Sequence, residues 1–182
     1  MSACPPKILN TQKVFSGKIF NIHQVDLAFS NGEIRQYEYA EPGSTVGVLI
    51  LPLLDKKTIL LIREYAVNSN SYVLNFPRGG VPKNEDFYLS AERELKEETG
   101  YGAKHLQLLK TMNSVSGYIK DTMYYLIATD LYPESLVGDE PEPLEVIKWP
   151  IEKLDDLLTE PGFNEARNIA ALYLLERFLN ER

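Results

Sequence analysis

Three glutamates, Glu94, Glu97 and Glu98, lie close together in the sequence and could do chemistry as a group. If the segment is an α-helix, with about 100° of rotation per residue, they fall on one strip of its surface, beside a less polar strip. Carboxylates this close repel one another unless a cation lies among them. Hard oxygen ligands suit Mg²⁺ or Mn²⁺, which also bridge phosphate oxygens. The spacing therefore predicts a divalent-metal site on a helix.

Arg93 stands four residues before Glu97, the spacing at which an ion pair on a helix can fix one of these carboxylates. The same composition also fits a simpler structure, because most helices rich in Glu, Lys and Arg are charged faces in contact with solvent. The sequence on either side of the three glutamates is needed to distinguish a metal site from an exposed charged face.

The elements that would position this helix follow from hydrophobic patterning and turn residues. Asn31-Gly32 between two alternating runs, 25–29 and 34–39, predicts a β-hairpin. Further strands are predicted over 46–51, 58–63, 72–76, 106–112, 123–128 and 144–149. Helices are predicted over 85–99, ended by Gly100, and over 151–158 and 164–179. The last helix is expected to bury Ala166, Ile169, Ala170, Tyr173, Leu174 and Phe178.

These elements predict a mixed α/β fold with a β-rich N-terminal part. The break at 41–44, Glu-Pro-Gly-Ser, predicts a boundary between an N-terminal β-element, residues 1–45, and a main domain, residues 46–182. A length of 182 residues fits one domain, or one domain with a small accessory element.

Charge and composition limit the classes of molecule that this protein is expected to bind. The net charge of −7 disfavours binding to a nucleic-acid backbone, and a phosphorylated small molecule would need metal ions to reverse the field locally. The longest apolar stretch, 46–54, is too short to span a membrane, and the N-terminus lacks the apolar run of a signal peptide. The single cysteine, Cys4, excludes an internal disulfide. We therefore expect a cytoplasmic protein with neither nucleic-acid nor membrane partners.

The stretch from Gly79 to Tyr101 resembles the Nudix box. In that motif a glycine is followed after five residues by a glutamate, and after seven more by Arg-Glu, an aliphatic residue, any residue, Glu-Glu, any residue, Gly and an aliphatic residue. All seven fixed positions match, and the only departure is Tyr101, aromatic where an aliphatic residue is usual. The matching residues are Gly79, Glu85, Arg93, Glu94, Glu97, Glu98 and Gly100. This match favours the metal site over the exposed charged face.

The resemblance implies a loop–helix–loop on an α/β/α sandwich with a mixed sheet, binding Mg²⁺ around a pyrophosphate. The implied metal ligands are Glu94, Glu98, the nearby Glu97 and the backbone carbonyl of Arg78. Glu85 and Arg93 are implied to support these ligands. The metal ions would neutralise the diphosphate and lower the pKa of a water molecule that attacks phosphorus.

Features outside the box resemble the ADP-ribose pyrophosphatase branch of the family, in particular the bacterial ADP-compounds hydrolases. They are the N-terminal hairpin, the run 61–65 on a strand and the C-terminal segment 161–179. The resemblance implies cleavage of ADP-ribose, diadenosine polyphosphates or NADH to AMP and a second phosphorylated product. It also implies a homodimer that swaps its N-terminal β-element. Arg63 would then contact substrate phosphate or the partner chain; alternatively it is an exposed arginine on an edge strand.

Two departures leave the substrate open. Ser116 stands where ADP-ribose enzymes typically carry a proline, and a tyrosine near this place, here Tyr118, is usual in enzymes that cut dinucleoside polyphosphates. Asn75-Phe76-Pro77-Arg78 replaces the usual Glu-Leu-Pro-Ala, and a basic residue at 78 suits an extra phosphate. We expect Arg78 and Tyr118, together with Arg63, to contact the substrate.

The acidic, proline-containing segment 137–145 is the expected source of the general base. The ADP-ribose branch places a Glu-any-Glu pair in a loop here, one as base and one as a further metal ligand, and Glu140 and Glu142 match that spacing. We expect Glu140 to be the base, with Glu145 and then Glu97 as the reserve candidates. The alternative is a solvent-exposed acidic loop without a catalytic role.

Two other functions fit parts of the sequence. A Nudix-fold module that binds a nucleotide without cutting it would usually lack a box glutamate, and none is missing here. A helical interaction protein with a charged face does not fit the predicted hairpin and strands. We therefore expect a metal-dependent pyrophosphohydrolase.

Overall fold

The computed structural model describes residues 4–114 and 116–181. The chain divides into two compact units. The first extends to Thr45 and also takes in Asn113–Thr122, a segment from within the range 46–182. The second comprises Val46–Met112 and the residues from Met123 onwards. Each unit has its own sheet.

The first unit contains a three-stranded antiparallel sheet in the order β1-β2-β3. Its strands are β1 (Lys7–Ser16), β2 (Phe20–Ala28) and β3 (Ile34–Pro42). The predicted hairpin is present as β2 and β3, and its turn passes through Gly32 at φ 88°, a conformation that glycine adopts without a steric penalty. Strand β1 was not predicted. Its pairing with β2 shifts register at Ile8/Asn10 and at Lys13/Phe15, so its residues do not alternate regularly.

The second unit is built on a seven-stranded sheet with the core order β10-β5-β4-β9-β8, in which β6 pairs with β5 and β7 pairs with β4. The strands are β4 (Val46–Asp55), β5 (Thr58–Ala66), β6 (Ser71–Asn75), β7 (Arg78–Gly80), β8 (Tyr101–Met112), β9 (Thr122–Pro133) and β10 (Glu145–Pro150). The helical segments are α1 (Phe87–Thr99), a 3₁₀-helix (Ile151–Thr159) and α2 (Ala166–Asn180). The short strand β7 was not predicted, and β8 begins earlier than the predicted residue 106.

Strand β4 lies between two layers of helix. Because successive side chains of a strand point to opposite faces, its unbroken apolar run supplies both cores. Val48 and Ile50 pack with Leu95 of α1 on one face. Leu49 and Leu51 pack with α2 and the 3₁₀-helix on the other. The expected α/β/α fold with a mixed sheet is confirmed.

Helix α1 is bounded by two residues that fix its ends. Asp86 caps the N-terminus by accepting the N–H of Tyr88 at 2.8 Å, and the helix therefore begins at Phe87 rather than at Glu85. Gly100 ends the helix, as predicted, at φ 74° with its N–H donated to the Lys96 carbonyl.

The apolar face predicted for α2 is partly correct: Ile169, Leu174 and Phe178 pack, partly buried, against the core, whereas Ala166 and Tyr173 are exposed. The buried residues are Asn168, Ala171, Leu172 and Leu175, whereas Tyr173 is 59% exposed. The face is displaced because the helix buries a polar residue, Asn168, which periodicity in apolar residues does not detect.

Among the described residues, no helix is long and apolar enough to cross a membrane.

Candidate active site

Helix α1 turns its three glutamates, Glu94, Glu97 and Glu98, into the wall of a cavity of about 440 Å³. Strand β7 and the segment between β9 and β10 form the rest of that wall. Glu98 is only 8% exposed, and its Oε2 accepts the backbone N–H of Arg78 at 2.9 Å. Burial raises the pKa of Glu98 to about 9 and that of Glu94 to about 7. These two carboxyls are therefore costly to ionise without a compensating cation.

Strand β7 makes room for the helix at Gly79. A Cβ atom added to Gly79 would overlap the carboxylate of Glu94. A glycine is needed here because the carboxylate lies directly against the strand backbone. The first position of the box is therefore linked physically to one of its glutamates.

Arg93 forms ion pairs with three glutamates of the box. Its Nη1 donates to Glu94 at 2.8 Å and to Glu97 at 3.0 Å, so the ion pair that the spacing predicts is present. Its Nη2 lies 3.5 Å from Glu85 Oε2 and donates to the Gly80 carbonyl at 3.4 Å. Burial disfavours the charged guanidinium, but the carboxylates of Glu94 and Glu97 outweigh it and raise the pKa of Arg93. Arg93 thus orients the carboxylates without lining the cavity itself.

Arg78 lines the cavity and is held by a chain of buried polar groups. Its guanidinium pairs with Glu64, which also accepts from Asn75 Nδ2 at 2.6 Å. Asn168 of α2 donates to Asn75 and accepts the N–H of Phe76 at 3.2 Å. Asn75 and Arg78, which replace the Glu and Ala of the usual Glu-Leu-Pro-Ala, therefore both contact the carboxylate of Glu64. Nη1 of Arg78 is buried and has no hydrogen-bond partner within the described residues.

The segment between β9 and β10 brings its acids to the same cavity. Glu140 and Glu142 both line it. Glu142 accepts from the Tyr72 hydroxyl at 2.6 Å, and Glu145 pairs with Arg63 Nε at 2.9 Å. Glu140 has no hydrogen bond or ion pair within the described part of the chain, and burial raises its pKa. Of the three candidate bases in this segment, Glu140 is the one whose carboxylate is not engaged.

The remaining predicted site residues lie elsewhere. Arg63 is paired with Glu145 and is 35% exposed, and Tyr118 lies in the first unit with 72% exposure. Their contacts with substrate stay predictions. Glu85 accepts from the Ser90 hydroxyl at 2.6 Å and so supports the start of α1 beside Arg93.

The donor set fits a divalent metal ion, although the carboxylate oxygens are hydrogen-bonded to protein groups. Within residues 4–114 and 116–181, no group of three or more acidic, histidine or cysteine side chains is arranged to hold a metal. The reason is that Glu94 and Glu97 turn to Arg93 and Glu98 turns to the Arg78 backbone. These are all hard oxygen donors, and the raised pKa values of Glu94 and Glu98 are what a cation would lower. The ligand roles stay predictions.

Sequence reasoning missed the groups that hold these residues. Tyr72 binds Glu142 from a strand far away in sequence, and no local pattern connects the two. Asn168 is a polar residue on a helix whose partners are on another strand. Glu64 did leave a usable signal, because it is a charge that follows Arg63 directly at the end of an otherwise apolar strand.

Comparison with known proteins identifies the family. Residues 43–173 match the NUDIX domain, and residues 6–38 match the N-terminal domain of NudE-type Nudix hydrolases. The chain is 47% identical to the ADP compounds hydrolase NudE of Escherichia coli (strain K12), over 96% of this chain and 93% of that protein. It is 26% identical to the ADP-ribose pyrophosphatase of Bacillus subtilis (strain 168), over 97% and 95%. A crystal structure of an ADP compounds hydrolase superposes with a TM-score of 0.93 at 45% identity, covering 100% of this chain and 97% of that one.

The chain therefore belongs to the Nudix hydrolase family. It is an enzyme, a pyrophosphohydrolase, so the family and the enzyme class predicted from the box are confirmed. Nudix hydrolases generally use a divalent metal ion, in agreement with the oxygen-rich cavity.

The buried carboxyl of Glu98 predicts how the stability of the metal-free protein depends on pH. Its pKa is about 9 in the folded chain, above the ordinary value of 4.5. The stability linked to this group is therefore present below about pH 4.5 and is lost as the pH rises towards 9. Glu98→Gln keeps an oxygen for the Arg78 N–H but carries no charge. In chelator at about pH 8, calorimetry should show a higher melting temperature for the variant than for the parent, with the difference closing near pH 4.5.

The same substitution at Glu152, an exposed residue of the 3₁₀-helix, controls for the loss of one negative charge. The change in melting temperature between about pH 8 and pH 4.5 should be the same for Glu152→Gln as for the parent. Equal melting temperatures for the parent and Glu98→Gln across this pH range would contradict the assignment of a buried, hard-to-ionise carboxyl.

Proposed function

We propose that this enzyme hydrolyses the pyrophosphate bond of ADP-linked compounds with Mg²⁺, giving AMP and a second phosphorylated product. The proposed substrates are ADP-ribose, diadenosine polyphosphates and NADH. The observation that carries the proposal is the cavity in which the box glutamates face Glu140, Glu142 and Arg78. Its support from relatives is that the protein at 47% identity is named for ADP compounds and the one at 26% for ADP-ribose.

The proposed metal ligands are Glu94, Glu98, Glu97, the backbone carbonyl of Arg78 and Glu142. Their hard oxygens suit Mg²⁺, with Mn²⁺ as a substitute. When bound, the metal neutralises the diphosphate and makes water a stronger nucleophile at neutral pH. Arg93 keeps Glu94 and Glu97 in place through hydrogen bonds of 2.8 and 3.0 Å, so a ligand lost there would also disturb its neighbours.

Glu140 is the proposed general base. Its carboxylate faces the cavity without a partner, and burial raises its pKa, which makes it a better proton acceptor near neutral pH. It takes a proton from the water whose oxygen bonds to phosphorus, while the bridging oxygen leaves with the other phosphate. Glu142 and Glu145 are less suited because Tyr72 and Arg63 engage them.

Arg78 is the proposed phosphate contact. Among the described residues that line the cavity it is the only basic one, in a wall that is otherwise rich in carboxylates. The pairing with Glu64 keeps its guanidinium beside the cavity rather than in solvent. A fixed guanidinium suits a phosphate oxygen because it presents several donors in a rigid plane.

A homodimer through the N-terminal sheet is also proposed. That sheet exposes large apolar side chains, among them Ile8, Phe15 and Ile34, and three strands alone give little apolar burial. In this proposal a second copy covers them, Arg63 contacts substrate phosphate or the partner chain, and Tyr118 contacts the substrate. Because Cys4 is the only cysteine, the proposed location is the reducing cytoplasm.

The substrate class is tested by a panel read by product chromatography. We expect AMP from ADP-ribose, diadenosine polyphosphates and NADH in Mg²⁺, little product from dNTPs, and none in chelator. Glu97→Gln and Glu98→Gln should fold but lose most turnover, because each removes a negative charge that is proposed to hold metal. The substrate proposal is wrong if dNTPs are cut in preference to every ADP-linked compound. Near-parental activity of both variants would overturn the metal site.

The base is tested by comparing Glu140→Gln with Glu142→Gln at several Mg²⁺ concentrations. Loss of the base should lower kcat by about 10²–10⁴-fold with little change in KM, and more metal should not restore it. Loss of a ligand should be partly restored by more Mg²⁺. Glu145→Gln is the comparison from the same segment, and because Glu145 is paired with Arg63 and does not line the cavity, it should lower kcat much less than Glu140→Gln. If all three behave like the parent, the base is Glu97 or another box residue.

The assembly is tested by light scattering at micromolar concentration. We expect about twice the chain mass of 20.7 kDa. Phe15→Glu, on the exposed face of β1, should shift the protein to the monomer because it places a charge in the proposed interface. Val67→Glu is the control, since Val67 is also exposed but lies in the second unit. A parent mass near 20.7 kDa would defeat the proposal.

A further inference from the structure

We infer that Tyr72 is a positioning residue for the reaction, whose hydroxyl holds the carboxylate of Glu142 at the cavity before any metal binds. The inference rests on the ligand role proposed above for Glu142. It concerns a residue outside the Nudix box and outside the segment 137–145, on the edge of a neighbouring hairpin.

The contact joins a fixed strand to an irregular segment. Tyr72 donates its O–H to Glu142 Oε1 at 2.6 Å, a short distance typical of a hydrogen bond to a charged acceptor. The next residues of β6, Val73 and Leu74, are buried in the core, and Leu74 N–H also donates to the Gly162 carbonyl. Glu142 itself lies between β9 and β10, where the chain has no regular secondary structure.

The segment between β9 and β10 needs such an anchor. It presents Asp139, Glu140 and Glu142 to the glutamates of α1, and like charges at this range repel. Its two ends are tied, one by the ion pair of Lys96 with Glu134 at 2.8 Å and the other by that of Arg63 with Glu145 at 2.9 Å. Across residues 137–144, all of them described, the bond to Tyr72 is the one hydrogen bond to the rest of the unit.

The geometry leaves Glu142 able to act as a ligand. Tyr72 occupies Oε1, and the second carboxylate oxygen remains for a cation. Groups that orient a metal ligand in this way commonly contribute a factor of about 10–100 in metal affinity. Without the hydroxyl, metal binding would have to order the carboxylate against its own repulsion from the box. Tyr72→Phe should therefore weaken metal binding and leave the binding of substrate at saturating metal unchanged.

The hairpin offers a matched control. Tyr65 lies opposite Tyr72 in the register of β5 and β6, and the two rings pack edge to face with their centroids 5.8 Å apart. The Tyr65 hydroxyl donates to Asn70 at 2.7 Å and not to the acidic segment. Tyr65→Phe therefore makes the same chemical change in the same aromatic pair while leaving Glu142 held.

The experiment is calorimetric titration of the full-length, substrate-free protein with Mn²⁺, followed by the Mg²⁺ dependence of turnover. We expect the Mn²⁺ Kd to rise about 10-fold in Tyr72→Phe and to stay at the parental value in Tyr65→Phe. More Mg²⁺ should be needed for half-maximal kcat in Tyr72→Phe, with an unchanged KM for ADP-ribose at saturating Mg²⁺. An unchanged Mn²⁺ Kd in Tyr72→Phe, or an equal rise in Tyr65→Phe, would overturn the inference.

A double-mutant cycle separates this inference from the proposed function. Tyr72→Phe should add no further loss of Mn²⁺ affinity when Glu142 is already Gln, because the hydroxyl acts only through that carboxylate. If Tyr72→Phe weakens binding equally in both backgrounds, it does not act through Glu142, and the inference fails alone. If Glu142→Gln itself leaves the Mn²⁺ Kd unchanged, Glu142 is not a ligand, and the proposed role and the inference fail together.

Discussion

A carboxylate that leaves water for a protein interior keeps its charge only at a high cost, and α1 places Glu94 and Glu98 in the same cavity wall. Burial raises their pKa values to about 7 and about 9, so the metal-free site resists full ionisation. A single divalent cation bound between the two carboxylates would offset the cost of ionising both. The arrangement is therefore unfavourable for a structural helix and favourable for one that binds a metal together with an anionic diphosphate.

The surrounding contacts are arranged around this one burial. Gly79 leaves the space that the Glu94 carboxylate fills, and Arg93 bridges Glu94 to Glu97. Next to Gly79, Arg78 is fixed through Glu64 and a pair of buried asparagines that reach α2. The packing of α2 against the sheet is thus connected to the cavity by polar contacts, and these contacts explain why that helix buries Asn168 among leucines.

Much of this could be predicted from the sequence, wherever the signal was local. The spacing of the glutamates, the glycine that ends α1 and the Asn-Gly turn each depend on a few neighbouring residues, and all three appear as expected. The misses share a different physical origin. Strand β1 was hidden by two register shifts, the fully buried residues of α2 by the polar Asn168 among them, and the role of Tyr72 by its distance in sequence from Glu142. Contacts between distant residues leave no periodic pattern to read.

We propose that the buried glutamates of α1 hold a divalent cation. The most direct measurement is anomalous diffraction from crystals of the protein soaked in Mn²⁺ with a non-hydrolysable ADP-ribose analogue. We expect a manganese peak in the cavity between Glu94 and Glu98, with the Glu98 carboxylate turned from the Arg78 N–H towards the ion. Manganese bound only outside this cavity, with Glu98 still accepting from Arg78 at saturating Mn²⁺, would contradict it.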